Sequence, residues 1–164
     1  MKKNNKGFSL VELIVVIALL VVVSLFVVTY AGMLGGGQAK KCANGLKSSF
    51  AQTKVCAMSR SSASMTVYSE NTGVYVKTMQ GTAERVEKIG NAGTKVEYRT
   101  VRNGDSFTTI GTTPANGVKI EFDRASGACK KMTGDVYCYG FKVTAGQTVY
   151  IVNIEPLTGK VSIQ

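Results

Sequence analysis

The sequence predicts an α+β fold in which a long N-terminal α-helix packs on a C-terminal antiparallel β-sheet domain. An apolar run reaches Tyr30 and contains a single charged residue, Glu12. Helical spacing of apolar residues resumes at Gln38, and after Ser64 the pattern changes to a period of two residues. The order of these patterns predicts a helix followed by roughly seven to nine short strands.

The apolar run Phe8–Tyr30 is long enough to cross a membrane as a helix. At 1.5 Å per residue it spans about 34 Å, against a hydrocarbon core of roughly 30 Å. The leader ahead of it is basic, with lysines at positions 2, 3 and 6, so the N-terminus is expected in the cytoplasm and the rest outside it. A cleaved secretory peptide is the competing interpretation, but its apolar core is usually only about 7–15 residues long.

Glycines follow the apolar run at Gly32 and at positions 35–37. Each glycine costs about 1 kcal/mol relative to alanine inside a helix, so we expect the helix to be interrupted here. Segment 32–37 is either a flexible joint or a plain loop between two helices. Beyond it, residues 38–60 form an amphipathic helical half with an apolar stripe at Ala39, Cys42, Ala43, Leu46, Phe50, Thr53 and Ala57.

The remaining segment, 61–164, is predicted to be β-rich and extracytoplasmic. The clearest hairpin has Met65–Tyr68 and Val74–Val76 on either side of the turn Glu70–Gly73. Asn103-Gly104 predicts a type I′ turn. Segment Gly81–Gly93 is ambiguous between a loop and a short helix. Further strands are expected at Lys95–Val101, Val118–Phe122, Val149–Ile154 and Lys160–Ile163.

Four cysteines in an exported domain permit disulfides. Cys129 and Cys138 would face each other in a hairpin centred on Thr133-Gly134, and we predict that they are bonded. Cys42 and Cys56 would lie about 21 Å apart on one helix, too far for a bond with each other. They are expected either to be small core residues or, for one of them, to reach a cysteine in the sheet. The chain has no His and no Cys-x-x-Cys, so no metal site is expected.

The formal charge of the chain is +10, and removal of the leader with its three lysines leaves +7. A basic outer domain favours polyanions such as DNA, and Lys130 and Lys131 are the candidate contacts. The alternative is a solvated surface that keeps the domain soluble. Without His, neither a Ser-His nor a Cys-His pair can form, and no Walker loop is present. We therefore predict no catalytic residues, no enzyme activity and no cofactor.

Glu12 is the most informative residue of the apolar run. A lone carboxylate in a membrane helix costs about 2.5–3.5 kcal/mol at the bilayer centre and usually has a partner. If the chain is cut after Gly7, the new amino group of Phe8 lies four residues from Glu12, which is one helical turn. The Phe8 amine of a neighbouring subunit is the other candidate partner.

Segment Lys6–Leu13 resembles the class III signal peptide of type IV pilins and pseudopilins, with a basic leader, Gly7, Phe8 and Glu12 at the family spacing. An ordinary signal-anchor helix is the alternative. The resemblance implies that a prepilin peptidase removes residues 1–7 and methylates Phe8. It also implies that segment 8–31 anchors the subunit in the membrane and later forms the core of a surface or periplasmic filament with other subunits.

The order of helix and strands resembles the lollipop-shaped pilin fold, and more narrowly the GspH/FimT-like class of minor pilins. That narrower likeness rests on the helix exit near Arg60, the strand leading into Ser126-Gly127 and the terminal hairpin that ends at Ile163. It implies a structural subunit, more often minor than major. A DNA-binding minor pilin of a DNA-uptake pilus is the alternative function.

Overall fold

A computed structural model describes residues 10–59 and 62–164, except for the side chains of residues 25–35. The chain divides into two compact units, Met1–Leu34 and Gly35–Gln164. The second unit joins one helical segment to two antiparallel β-sheets. The predicted α+β class is therefore confirmed.

Helix α1 extends over Leu10–Ser59 and includes the glycine segment 32–37. The predicted interruption of helical structure is therefore wrong. A helix can accept several glycines because each costs only about 1 kcal/mol, a sum that packing of the neighbouring turns can offset. The role of segment 32–37 as a flexible joint stays a prediction.

Within the second unit, α1 packs the predicted apolar stripe into the core. All seven stripe residues are buried: Ala39, Cys42, Ala43, Leu46, Phe50, Thr53 and Ala57. The Thr53 hydroxyl donates to the carbonyl of Ser49 at 2.7 Å, so this buried polar group is satisfied within the helix. The ring of Phe50 meets that of Phe122 edge to face, with centroids 4.8 Å apart.

The first sheet contains four strands in the order β3-β2-β1-β6. Its strands are β1 (Ala63–Glu70), β2 (Gly73–Gln80), β3 (Ala83–Asn91) and β6 (Val118–Glu121). The predicted hairpin is present, because β1 pairs with β2 from Ala63 opposite Gln80 to Glu70 opposite Gly73. Gly73 closes this turn with φ = 150°, which a side chain disfavours.

The second sheet contains five strands in the order β5-β4-β7-β8-β9. Its strands are β4 (Thr94–Arg99), β5 (Thr108–Thr109), β7 (Gly140–Ala145), β8 (Thr148–Glu155) and β9 (Lys160–Ile163). All pairings in it are antiparallel. A single buried cluster combines side chains from α1 and both sheets, so the two sheets share one core.

The segment Gly81–Gly93, which was ambiguous between a loop and a short helix, contains strand β3 instead. Residues 83–88 are exposed, and the composition Ala-Glu-Arg-Val-Glu-Lys gives no alternation of apolar and polar residues. The strand forms because it pairs with β2 along its length, a long-range interaction that local periodicity does not report.

The cysteine hairpin differs from the prediction by one residue. Met132 pairs with Val136, so the loop has three residues and its centre lies at Gly134. This register places Cys129 and Cys138 out of direct opposition. All four cysteines are free thiols in the structure, and the predicted disulfide is not confirmed.

In the part of the chain that the structure describes, no helix is both long and apolar enough to cross a membrane. The predicted span 8–31 includes residues 8 and 9, which lie outside the described residues, and residues 25–31, whose side chains are not described.

Candidate functional site

The first candidate site is the apolar segment of α1, defined here as Leu10–Val23. Its large apolar side chains are about half exposed or more, from 47% at Val16 to 75% at Leu10. Consecutive residues of a helix point 100° apart, so a run that is apolar except for Glu12 presents apolar surface on every face. Continuous exposed apolar surface of this kind marks a membrane or protein interaction site.

Glu12 is the only ionisable side chain of the apolar segment, and it is exposed in the structure. Gly7 and Phe8, the predicted processing residues, lie outside the described residues. The geometry of Glu12 relative to the Phe8 amine therefore stays a prediction. Ser24, the next polar residue along the helix, is already satisfied because its hydroxyl donates to the carbonyl of Leu20 at 2.6 Å. Glu12 has no comparable bond within the described residues.

The second candidate site is a basic groove of about 620 Å³ in the second unit. We define it by its four cationic residues: Lys77, Lys119, Arg124 and Lys130. Strands β2 and β6 supply the first two, and the chain that follows β6 supplies the others. Two carboxylates, Glu121 and Asp123, also line the groove, so its cations outnumber its anions.

Ion pairs and hydrogen bonds neutralise part of this groove. The ammonium of Lys119 donates to Glu121 at 2.6 Å and holds the pKa of that carboxyl below its usual value. Lys77 pairs with Glu84 at 2.7 Å. Among the described residues, Arg124 and Lys130 form no direct ion pair, although Lys130 is close enough to Glu121 and Asp123 to lower the pKa of both carboxyls.

Asp123 organises the turn that carries Arg124. Its Oδ1 accepts hydrogen bonds from the Ser126 hydroxyl at 2.7 Å, the Ser126 N–H at 2.9 Å and the Ala125 N–H at 3.1 Å. These bonds, led by the Ser126 hydroxyl, lower the pKa of Asp123. The carboxylate is therefore held ionised by its own turn, and it remains a negative charge in the groove close enough to Lys130 for that cation to lower its pKa as well.

Lys130 and Lys131, which the sequence analysis treated together as candidate contacts for a polyanion, lie at different places in the structure. Lys130 lines the basic groove, whereas Lys131 lines a different depression beside Met132. Lys131 also donates to Asp135 at 2.8 Å, and this hydrogen bond raises the pKa of Lys131. Sequence reasoning missed Lys77, Lys119 and Arg124, because residues far apart in the chain meet only through the pairing of β1 with β2 and β6.

The predicted cysteine pair occupies the core. Burial raises the pKa of Cys129 and of Cys138 to about 12. Cys42 is buried as well, and Cys56 is partly buried. No group of three or more His, Cys, Asp or Glu side chains suited to a metal ion occurs in the described ranges.

Comparison with protein families identifies the N-terminal signal. Residues 2–28 match the family model described as a prokaryotic N-terminal methylation motif. The chain carries the class III signal peptide of type IV pilins and pseudopilins. Comparisons with curated proteins and with solved structures gave no match.

This signal supports a type IV pilin-like or pseudopilin-like structural subunit. It implies processing by a prepilin peptidase and assembly with other pilin subunits. It also fits a subunit that its N-terminal helix anchors in the membrane before assembly. The matched region includes the apolar segment and Glu12, so the exposed apolar surface and the signal coincide in the chain.

Proposed function

We propose that the chain is a minor structural subunit of a type IV pilus or of a type II secretion-like pseudopilus. The peptidase cuts after Gly7 and methylates the amine of Phe8. The subunit waits in the membrane with its N-terminus in the cytoplasm and its β-rich domain outside. It then enters the filament through α1. One observation carries this proposal: the exposed apolar segment lies inside the matched signal. The one ionisable side chain of that segment is Glu12.

The role proposed for Glu12 is to neutralise the Phe8 amine in the filament core. Once the apolar segments pack together, an ammonium group there is removed from water, and a lone buried charge is costly. Breaking a buried ion pair by removing one partner costs about 3–5 kcal/mol. The same pairing sets the axial register of the entering subunit, because the amine and the carboxylate must meet.

Processing and assembly are tested separately. Intact-mass analysis of protein from the native membrane should show loss of residues 1–7 and one added methyl group. Glu12→Ala should insert and be cut as the native chain is, but it should be depleted from sheared filaments. Ser24→Ala is the matched control, because its hydroxyl is satisfied within the helix, and it should assemble normally.

Two results would count against the proposal. A mature chain that keeps Met1 or begins beyond Tyr30 would remove the processing step. Normal incorporation of Glu12→Ala would remove the assembly role of the carboxylate.

The basic groove supports a second candidate function, a DNA-binding minor pilin. Phosphates would meet Arg124 and Lys130, which form no direct ion pair among the described residues, while Lys119 and Lys77 stay held by glutamates. Affinity for phosphates falls steeply as the salt concentration rises. Each lost phosphate contact makes the negative slope of log K against log salt shallower by about 0.9.

The test measures binding of duplex DNA to the full chain in detergent across a salt series. Replacing Arg124 and Lys130 by Gln should weaken binding and reduce the slope by about two. The control replaces Lys41 and Lys47 by Gln, which removes the same charge from exposed positions on α1 outside the groove. Equal effects of the two double variants would show only a general charge effect and would refute a site in the groove.

A further inference from the structure

Strand β3 is a long edge strand with one open side. It has nine residues, it lies at the end of its sheet, and its hydrogen-bonded neighbour is β2. The main-chain groups that point away from β2 have no strand partner within the described chain. Open edges of this length template pairing with another strand unless something blocks them.

The charges on β3 are self-complementary in one arrangement. The central sequence is Glu84-Arg85-Val86-Glu87-Lys88, and all five side chains are exposed. In an antiparallel pair of two copies related by a two-fold axis through Val86, Glu84 opposes Lys88 and Arg85 opposes Glu87. By symmetry each of these pairs occurs twice, and Val86 meets its own copy.

The faces of the strand agree with this pairing. Side chains alternate along a strand, so residues 84, 86 and 88 lie on one face and residues 85 and 87 on the other. Residues directly opposed in a sheet share a face. The proposed register opposes even-numbered with even-numbered residues and odd-numbered with odd-numbered residues, so every opposed pair meets on one face.

The other antiparallel registers centred on these five residues bring like charges together. A two-fold axis through Glu84, Arg85, Glu87 or Lys88 opposes that residue to its own copy, which is destabilising. Parallel pairing in register stacks every charge on its equal. Among the five central positions, only Val86 is uncharged, and its side chain is 48% exposed. Among registers centred on these five residues, the one centred on Val86 opposes each charge to an opposite charge, and it is antiparallel.

From this pattern we propose that β3 is a docking edge for a second copy of the same chain. The contact joins two first sheets into one continuous eight-stranded sheet. It is isologous and closes at two copies, so it forms a dimer and does not propagate. This contact is independent of the apolar segment, through which the filament assembles.

Two intrachain ion pairs already engage these charges. Glu84 contacts Lys77 at 2.7 Å, and Arg85 contacts Glu87 at 3.6 Å. Both glutamates remain about half exposed, so each keeps a carboxylate oxygen for the second copy. Exposed cross-strand pairs are individually weak. The dimer is therefore expected to be weak, and trapping it covalently is the appropriate measurement.

The experiment uses the full chain in detergent with Val86→Cys. The two-fold axis brings residue 86 against its own copy, so mild oxidation should link the copies. The native chain controls for its own four cysteines. Val149→Cys is the matched control, because Val149 is 45% exposed on a strand in the other sheet. Val86→Cys should give linked dimer well above both, and equal yields from Val86→Cys and Val149→Cys would overturn the proposal.

Charge reversal then tests the register. In the Val86→Cys background, Arg85→Glu places like charges opposite each other at two sites and should weaken dimerisation about tenfold. Adding Glu87→Arg restores the opposition, both within the chain and across the axis, and should restore the linked dimer. A melting curve for each variant separates dimer loss from unfolding. Failure of the swapped pair to recover the dimer, with melting unchanged, would refute this register.

Discussion

Two glycines in α1 should respond in opposite directions to the same substitution. A Cβ added at Gly45 would lie 2.9 Å from the Cβ and 3.0 Å from the Cγ2 of Ile89 on β3. Ile89 is buried, and its Cβ is fixed to the backbone, so the strand or the helix must shift. A Cβ added at Gly37 would meet no atom within 4 Å.

The magnitudes follow from two competing terms. Alanine improves helix propensity by about 1 kcal/mol relative to glycine at both positions. Forcing an extra methyl group into a packed contact costs about 1–3 kcal/mol, and this term applies at Gly45 alone. We expect Gly37→Ala to raise the free energy of unfolding by about 1 kcal/mol and Gly45→Ala to lower it by about as much.

Thermal unfolding of the full chain in detergent, followed by circular dichroism, measures the difference. A domain of this size shifts its melting temperature by about 2–4 °C per kcal/mol, so the two variants should differ by about 4–8 °C. If Gly45→Ala proves as stable as Gly37→Ala, the helix does not approach Ile89 as closely as the structure indicates.

Two further predictions concern the core. Phe50→Ala should lower the free energy of unfolding by about 3–5 kcal/mol because it removes the contact with the Phe122 ring. Val55→Ala, on the exposed face of α1, is the control and should change that free energy by less than about 0.5 kcal/mol. Urea titrations of both variants measure the two free energies. Burial raises the pKa of the Cys42, Cys129 and Cys138 thiols to about 12, above the value of about 8.5 in the unfolded chain. The stability that these buried thiols contribute is therefore full below about pH 8.5 and is lost as the pH rises towards 12. The free energy of unfolding, measured from pH 8 to 11, should show this decline. A thiol-labelling reagent added to the folded protein at pH 8 should modify the partly buried Cys56 before the buried Cys42, Cys129 and Cys138.

The sequence predicted the parts of the fold that local periodicity controls. The apolar stripe that ends at Ala57 follows helical spacing, and each of its residues is buried. The β1–β2 hairpin was readable because turn residues separate two alternating runs. The terminal hairpin was readable for the same reason, with β8 paired to β9 from Val152 opposite Ile163 to Glu155 opposite Lys160.

Elements that depend on distant partners were not predictable in this way. Strand β3 exposes most of its length, so its sequence carries no alternation, and its Glu, Lys and Arg residues favour helix over strand. Strand β7, Gly140–Ala145, was not assigned either, although it is central to its sheet between β4 and β8. The basic groove has the same origin, since β1 brings together β2 and β6 from separate parts of the chain.

The cysteine hairpin shows how one residue of loop length changes a chemical conclusion. A two-residue loop at Thr133-Gly134 would oppose Cys129 to Cys138. In the structure the Met132 N–H donates to the Val136 carbonyl at 2.8 Å, and the loop holds three residues.

The backbone explains the longer loop. Gly134 and Asp135 have φ values of 90° and 61°, so both lie in the left-handed region. Asp tolerates this conformation better than most residues do, and three-residue hairpin loops commonly end on such a residue. With Met132 opposite Val136, continued pairing would place Cys138 opposite Lys130, one position from Cys129. The three-residue loop therefore removes the direct opposition on which the predicted bond depended, and peptide mapping of oxidised protein without reductant tests whether the two cysteines bond.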